Sequence, residues 1–148
     1  MKRTLVPGIV SETQAFAPLS PQQSVQEAAE MMADRRIGAA MVVEQGRLVG
    51  IFSERDLLSR VVAQGRNPVT TKVADVMTLD PHTLPPDASP REALTIMEKG
   101  KFRHLPIVDG DDIVAIISIR DLFAAVNAEL TKDLEQRDTL LFGAGYGG

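Results

Sequence analysis

Apolar residues recur at helical spacing in two places: Val25, Ala28, Ala29 and Met32, and later Ala93, Leu94 and Met97. Such spacing puts the side chains on one face of a helix. Ser24 with Glu27, and Ser89 with Glu92, precede the two faces in the pattern of a capping box. Pro90 falls at the first helical position, where a missing N–H costs nothing. The helices are expected to end near Arg36 and Lys101. Each is followed by a short apolar run, residues 39–43 or 104–108, and a polar turn, Glu44-Gln45-Gly46-Arg47 or Asp109-Gly110-Asp111-Asp112. A second apolar run comes next, 48–52 or 113–117, so each turn predicts a hairpin. The near-continuous second run suggests a sheet covered on both faces. A second helix should begin at Ser53 or Ser118. Its expected inner face is Leu57, Leu58, Val61 and Val62 in one case, and Leu122, Phe123 and Val126 in the other. The later helix is expected to run to about Arg137 through Leu130 and Leu134. Between the two sets, residues 65–68 read as a loop and residues 73–77 as a short helical turn.

The two sets are one pattern written twice. At an offset of 65, Leu19 falls on Leu84, Pro21 on Pro86, Ser24 on Ser89, Met32 on Met97, Ser53 on Ser118 and Asp56 on Asp121, without a gap. Units of about 60 residues struggle to bury enough apolar surface alone, so the two are expected to pack together as one module.

Composition narrows the classes. The 148 residues are 44% hydrophobic and 24% charged, an ordinary globular balance. Only 4% are aromatic and none is Trp, which leaves the core to aliphatic residues and Met. A net charge of −4 argues against nucleic acid as the partner. The absence of Cys excludes disulfides, thiolate zinc sites and Cys nucleophiles. The basic start is broken by Pro7 and Gly8 and makes a poor signal peptide. No run approaches the roughly 20 apolar residues of a membrane span, and a cytoplasmic protein is expected. His82 and His104 lack the spacing of a metal pair. "DGDD" at 109–112 is a hairpin turn, too short for a calcium loop. No Ser-His-Asp constellation is present, and the Gly-rich end, with Phe142 and Tyr146, is too rich in glycine to hold a regular element by itself.

Candidate chemistry lies at the junctions "GIFSERD" (50–56) and "AIISIRD" (115–121). Ser-x-x-Asp at a strand-to-helix junction reads as an N-cap, a feature that contributes about 1 kcal/mol. The same geometry also suits a ligand. A helix N-terminus offers unpaired N–H groups and partial positive charge to a phosphate. A carboxylate one turn in accepts two hydrogen bonds from a vicinal diol such as a ribose. Arg55 and Arg120 stand beside the pairs, where they would add charge toward a phosphate.

Several stretches, in order and spacing, resemble the cystathionine β-synthase (CBS) domain pair. They are "RRIGAAMVVEQGRLVGIFSERD", "KFRHLPIVDGDDIVAIISIRD" and "VADVMT". The likeness covers residues 10–128. It implies an α/β (α+β) fold of two β-α-β-β-α repeats, here 10–66 and 73–128, around a pseudo-twofold axis, with a helical extension and tail at 129–148. It also implies two clefts for adenosyl ligands: AMP, ADP, ATP, NAD(H) or, less so, S-adenosylmethionine. Asp56 and Asp121 would hold the ribose, and Ser53 and Ser118 would face the phosphate. The Gly before the junction is present as Gly50 but is Ala115 in the second unit. Thr83 matches the family's threonine on the strand that leads into the unit, where position 18 is Pro. Lys101, Arg103 and His104 precede Pro106, where the first unit has Arg36, Gly38 and Ala39. The second cleft is therefore expected to be the better nucleotide site. The resemblance further implies a homodimer. No chemistry of its own is expected, with output through a partner protein. The alternative is a ligand-free interaction module in which the Ser and Asp pairs are only helix caps.

Overall fold

Ser24 starts α1 (Val25–Arg35) by accepting the Glu27 N–H at 3.1 Å. The reciprocal half of the box is missing because the Glu27 carboxylate takes the Gln23 amide instead. Arg36 ends the helix in the left-handed region, with its N–H on the Ala33 and Met32 carbonyls. The structure, a computed structural model, describes residues 3–138; the Gly-rich end with Phe142 and Tyr146 lies outside them.

After α1 comes a hairpin, β1 (Ala39–Glu44) antiparallel to β2 (Arg47–Ser53). Its two turn residues, Gln45 and Gly46, have φ of 51° and 76°, the twist that joins two strands through two residues. Ser53 caps α2 (Glu54–Asp56), which widens at once into a π-helical turn, Leu57–Val62. Next come α3 (Val73–Val76) and a two-residue strand, β3 (Thr78–Leu79). The strand adds to the free edge of β2 through Ile51↔Thr78 and Gly50↔Leu79. The second unit repeats the order with α4 (Pro90–Gly100), β4 (His104–Asp109), β5 (Asp112–Ser118) and α5 (Ile119–Asp138). Ser89 caps α4 and Lys101 ends it at φ 57°. Even the irregularity repeats: the strand register shifts between Val42 and Val43 and again between Ile107 and Val108. This is the mixed helix and strand architecture that the pattern predicts.

Two hydrophobic cores form, and each borrows from the other unit. Leu19, Val25, Met32, Val42, Phe52 and Val61 pack with Val73, Val76 and Met77 of the segment leading into the second unit. Met97, Leu105, Ile107, Ile117 and Leu122 pack with Leu5, Val6 and Val10 of the segment leading into the first. The turn at 73–77, which the sequence associates with the second unit, thus fills the first unit's core. The docking bonds match. Leu5 N–H and Val6 N–H donate to the Ala88 and Pro86 carbonyls, while Val73 N–H and Ala74 N–H donate to Gln23 and Pro21. The acceptors are 65 apart (88 − 23, 86 − 21), but the donors are 68 apart (73 − 5, 74 − 6). The first lead-in segment is therefore three residues longer than the second (68 − 65).

The expected inner faces of the second helices need correction. Val61 and Leu122 are buried, but Leu58 and Val62 are 63% and 64% exposed, and Phe123 is 53% exposed. Cap and sheet together aim only one side of each helix at the core, so the remaining apolar residues, with Leu130 and Leu134, point outward.

Candidate functional site

Both Ser-Asp junctions form the reciprocal cap, but they differ in what else the carboxylate does. Asp56 Oδ2 accepts the Ser53 N–H at 2.9 Å and the Ser53 hydroxyl at 3.0 Å, and the Asp56 N–H returns to Ser53 Oγ at 3.2 Å. The Thr78 hydroxyl donates to Asp56 Oδ1 at 3.2 Å, and Arg60 Nε lies 3.7 Å from the same oxygen. Asp56 is only 7% exposed, and its charge is fully occupied. Asp121 Oδ2 accepts the Ser118 N–H at 2.8 Å, and the Asp121 N–H donates to Ser118 Oγ at 3.1 Å. Its Oδ1 has no hydrogen-bond partner among the described residues, and the side chain is half-buried.

Each junction lines a cleft. Ser53, Arg55 and Asp56 line one of about 560 Å³, whose far wall is Thr78, Asp80, Pro81 and His82. Ser118, Arg120 and Asp121 line one of about 930 Å³, whose far wall is Gln14, Ala15, Phe16 and Ala17. Gly38, Ala39, Glu54, Arg103 and His104 line both and form the septum between them. The septum is tight. A Cβ on Gly38 would sit 3.1 Å from Glu54 Oε1 and 3.4 Å from His104 Cε1. Burial lowers the His104 pKa below its ordinary value. The Glu54 and Asp121 carboxylates oppose that shift, and Arg103 adds to it.

The cleft walls differ because the lead-in segments differ in length. β3 lies directly on the β2 edge. At the matching edge of β5, the Gln14 side chain replaces a strand. Its Nε2 donates to the Ile116 carbonyl at 3.0 Å, and its Oε1 accepts the Ile116 N–H at 2.9 Å. The longer segment stands off the sheet by the length of a glutamine, which accounts for the roomier cleft.

Two predicted site residues are misplaced. Thr83 is exposed and lines neither cleft. By that point the chain has turned to its own sheet, where Leu84 bridges Ile107. The threonine that meets a junction carboxylate is Thr78, and the carboxylate is Asp56 rather than Asp121. Pro106 is buried in β4 opposite Ile116 and lines neither cleft. The basic stretch 101–104 is also divided. Lys101 and Phe102 line the smaller cleft, while Arg103 and His104 line both. His82 stacks on Phe102 with ring centroids 5.5 Å apart, in the smaller cleft's wall. Sequence reasoning missed Gln14, Glu54, Arg60 and Thr78 as site residues. Two of them lie in stretches that carried a signal, Glu54 inside "GIFSERD" and Thr78 as the last residue of "VADVMT".

The cations differ as well. Arg55 Nη1 donates to the Lys101 carbonyl at 2.7 Å, and Arg60 Nη1 donates to the Met77 carbonyl at 2.8 Å. In the larger cleft, Arg35, Arg36, Arg103 and Arg120 make no ion pair or hydrogen bond through their side chains among the described residues. No group of three or more His, Asp or Glu side chains among the described residues is arranged to hold a metal ion. No helix among them is long and apolar enough to cross a membrane.

The CBS domain pattern matches the chain twice, at residues 10–63 and 73–128. The chain is 41% identical over 115 residues to the CBS domain-containing protein YhcV of Bacillus subtilis, covering 78% of this chain and 80% of that one. It is 33% identical over 128 residues to the mitochondrial CBS domain-containing protein CBSX3 of Arabidopsis thaliana, covering 83% of this chain and 62% of that one. A solved protein with CBS domains from Burkholderia ambifaria superposes with a TM-score of 0.79 at 32% identity, over 84% of this chain and 94% of that one.

Proposed function

The chain belongs to the CBS-domain family, and on that footing we propose that it is a regulatory sensor whose larger cleft takes an adenine nucleotide. The observation that carries this reading is the free Oδ1 of Asp121 in the lining of an open cleft of about 930 Å³. One oxygen holds the cap while the other is left to accept from a ribose hydroxyl. The Ser118 hydroxyl and the Arg120 guanidinium lie at the start of α5, where the helix dipole favours a phosphate even though the Ser118, Ile119 and Asp121 N–H groups are already bonded within the chain. The helix that begins there runs 20 residues, against nine (3 + 6) for α2 and its π-helical continuation. AMP, ADP, ATP and NAD(H) all present the adenosine and phosphate that this arrangement would grip, and S-adenosylmethionine presents the adenosine alone. The chain performs no chemistry in this reading. Binding biases the packing of the two units, and a protein effector reads the change. The outward apolar residues Leu58, Val62 and Phe123 support a homodimer.

At the smaller cleft the ligand-free reading is favoured, because Ser53, Thr78 and Arg60 already hold Asp56. A thermal-shift screen of AMP, ADP, ATP, NADH and S-adenosylmethionine tests both clefts. At least one nucleotide is expected to raise Tm for the native chain and for Asp56→Ala, but not for Asp121→Ala. No shift with any compound would remove the nucleotide reading.

A further inference from the structure

The larger cleft carries more positive charge than one phosphate needs. Arg35 and Arg36 line it from the end of α1, and Arg103 and Arg120 line it from the other unit. Against these four guanidinium groups the lining holds two carboxylates, Glu54 and Asp121, and the local balance is +2 (4 − 2) in a chain of net charge −4. One of the two carboxylates, Asp121, already accepts the Ser118 N–H. A basic residue in the last turn of a helix is favoured by the helix dipole alone, which would explain Arg35 and Arg36 by themselves. It does not explain why Arg120, at the start of α5, lines the same cavity from the opposite unit, nor why Arg103, two residues past the α4 cap, joins it there. Nor does it explain why none of the four has an acceptor among the described residues. In the smaller cleft, by contrast, Arg55 and Arg60 are bound to carbonyls of the chain itself. A guanidinium presents a planar fork of donors matched to phosphate oxygens, and each such pair is a charge-assisted bond. A single phosphate at the start of α5 leaves most of these forks empty. Further phosphates in series would fill them, and about 930 Å³ lies at the roomy end of ordinary ligand pockets.

We infer that the larger cleft selects a nucleoside 5′-polyphosphate with a free terminal phosphate over a nucleoside monophosphate or a cationic adenosyl compound. The selectivity rests on the reading of this cleft as a nucleotide site. Arg120 takes the first phosphate beside Ser118, and Arg36 and Arg103 close on the terminal one from the two sides.

Isothermal titration of the full chain with AMP, ADP, ATP and S-adenosylmethionine, in chelator at fixed salt, reads the selectivity directly. Affinity is expected to rise in the order AMP, ADP, ATP, with ATP at least about tenfold tighter than AMP. S-adenosylmethionine should be the weakest. The double variant Arg36→Gln with Arg103→Gln is expected to bring the ATP-to-AMP ratio close to one while AMP binding stays within about twofold of native. Both side chains are exposed, so the fold should survive, and an unchanged far-UV spectrum checks that. Equal affinity for AMP and ATP, or tighter binding of S-adenosylmethionine, overturns the selectivity and leaves the nucleotide reading standing. Binding of no compound removes both.

Discussion

His104 stands in the septum with carboxylates on two sides and an arginine next to it, and burial still decides its protonation. The folded chain resists the proton, whereas the unfolded chain takes it up at about pH 6.5. As pH falls below that value the unfolded state binds more protons, so folding stability is lost on the acid side. Above it both states are neutral at this position and nothing changes. The native chain should lose more unfolding free energy between pH 7.5 and 5 than His104→Gln does, measured by urea titration at each pH. The subtraction removes the titration of groups that the two chains share, and parallel losses would show that His104 is not the group responsible. Another single residue explains what the sequence left puzzling. A Cβ on Gly50 would lie 2.9 Å from the Thr78 carbonyl oxygen, so glycine is needed where β3 lies against the sheet. Ala115 occupies the matching place, where Gln14 meets the β5 edge by its side chain and no backbone strand presses. The departure from the motif was visible in the sequence. Its cause was not, because the cause is a neighbour more than 100 residues away (116 − 14).

At the scale of elements, periodicity and caps located the two long helices and both hairpins to within a residue or two. Ser24, Ser89 and the turns at Gln45-Gly46 and Gly110-Asp111 are local signals and act locally. The lead-in segments were read less well. They have few regular hydrogen bonds of their own, and what fixes them is the sheet edge of the other unit. This is why the sequence points to Thr83 for the second cleft and not to Thr78, which meets Asp56. The Gln14 clasp is the element-scale feature most open to test. Gln14→Ala removes two hydrogen bonds of ordinary strength, worth about 1 kcal/mol net each. The Ile116 amide should then exchange with solvent at least about fivefold faster, while Ile51, backed by β3, keeps its protection. Unchanged exchange at Ile116 would mean that the segment is held by something other than this side chain.

At the scale of the whole molecule, the repeat and the family were legible from the offset of 65 and the doubled junction. The inequality of the clefts was not, since it comes from three extra residues in one segment and the free oxygen they leave on Asp121. The exposed faces were also misread. Leu58, Val62, Phe123 and Val126 are spaced like core, and spacing alone does not say which of two apolar sides faces inward; Leu130 and Leu134 are exposed with them. Six large apolar residues on the surface helices of one small protein are a candidate association face. Sedimentation velocity should give the mass of a dimer for the native chain. Leu58→Glu combined with Phe123→Glu should give a monomer with an unchanged circular dichroism spectrum. A native monomer, or a dimer indifferent to both changes, would place association elsewhere or nowhere.

The exchange of lead-in segments carries a consequence for how such a module can exist at all. One unit alone holds a junction carboxylate, but the far wall of its cleft and part of its core belong to the other. Two separate copies could build the same clefts only by meeting in solution and trading their N-terminal stretches. Joining them through residues 63–73 turns that encounter into an intramolecular one, at an effective concentration in the millimolar range or above for a short tether. Tethering also removes the need for the halves to be identical. One wall is then free to lengthen and open its cleft while the other stays closed on its own aspartate.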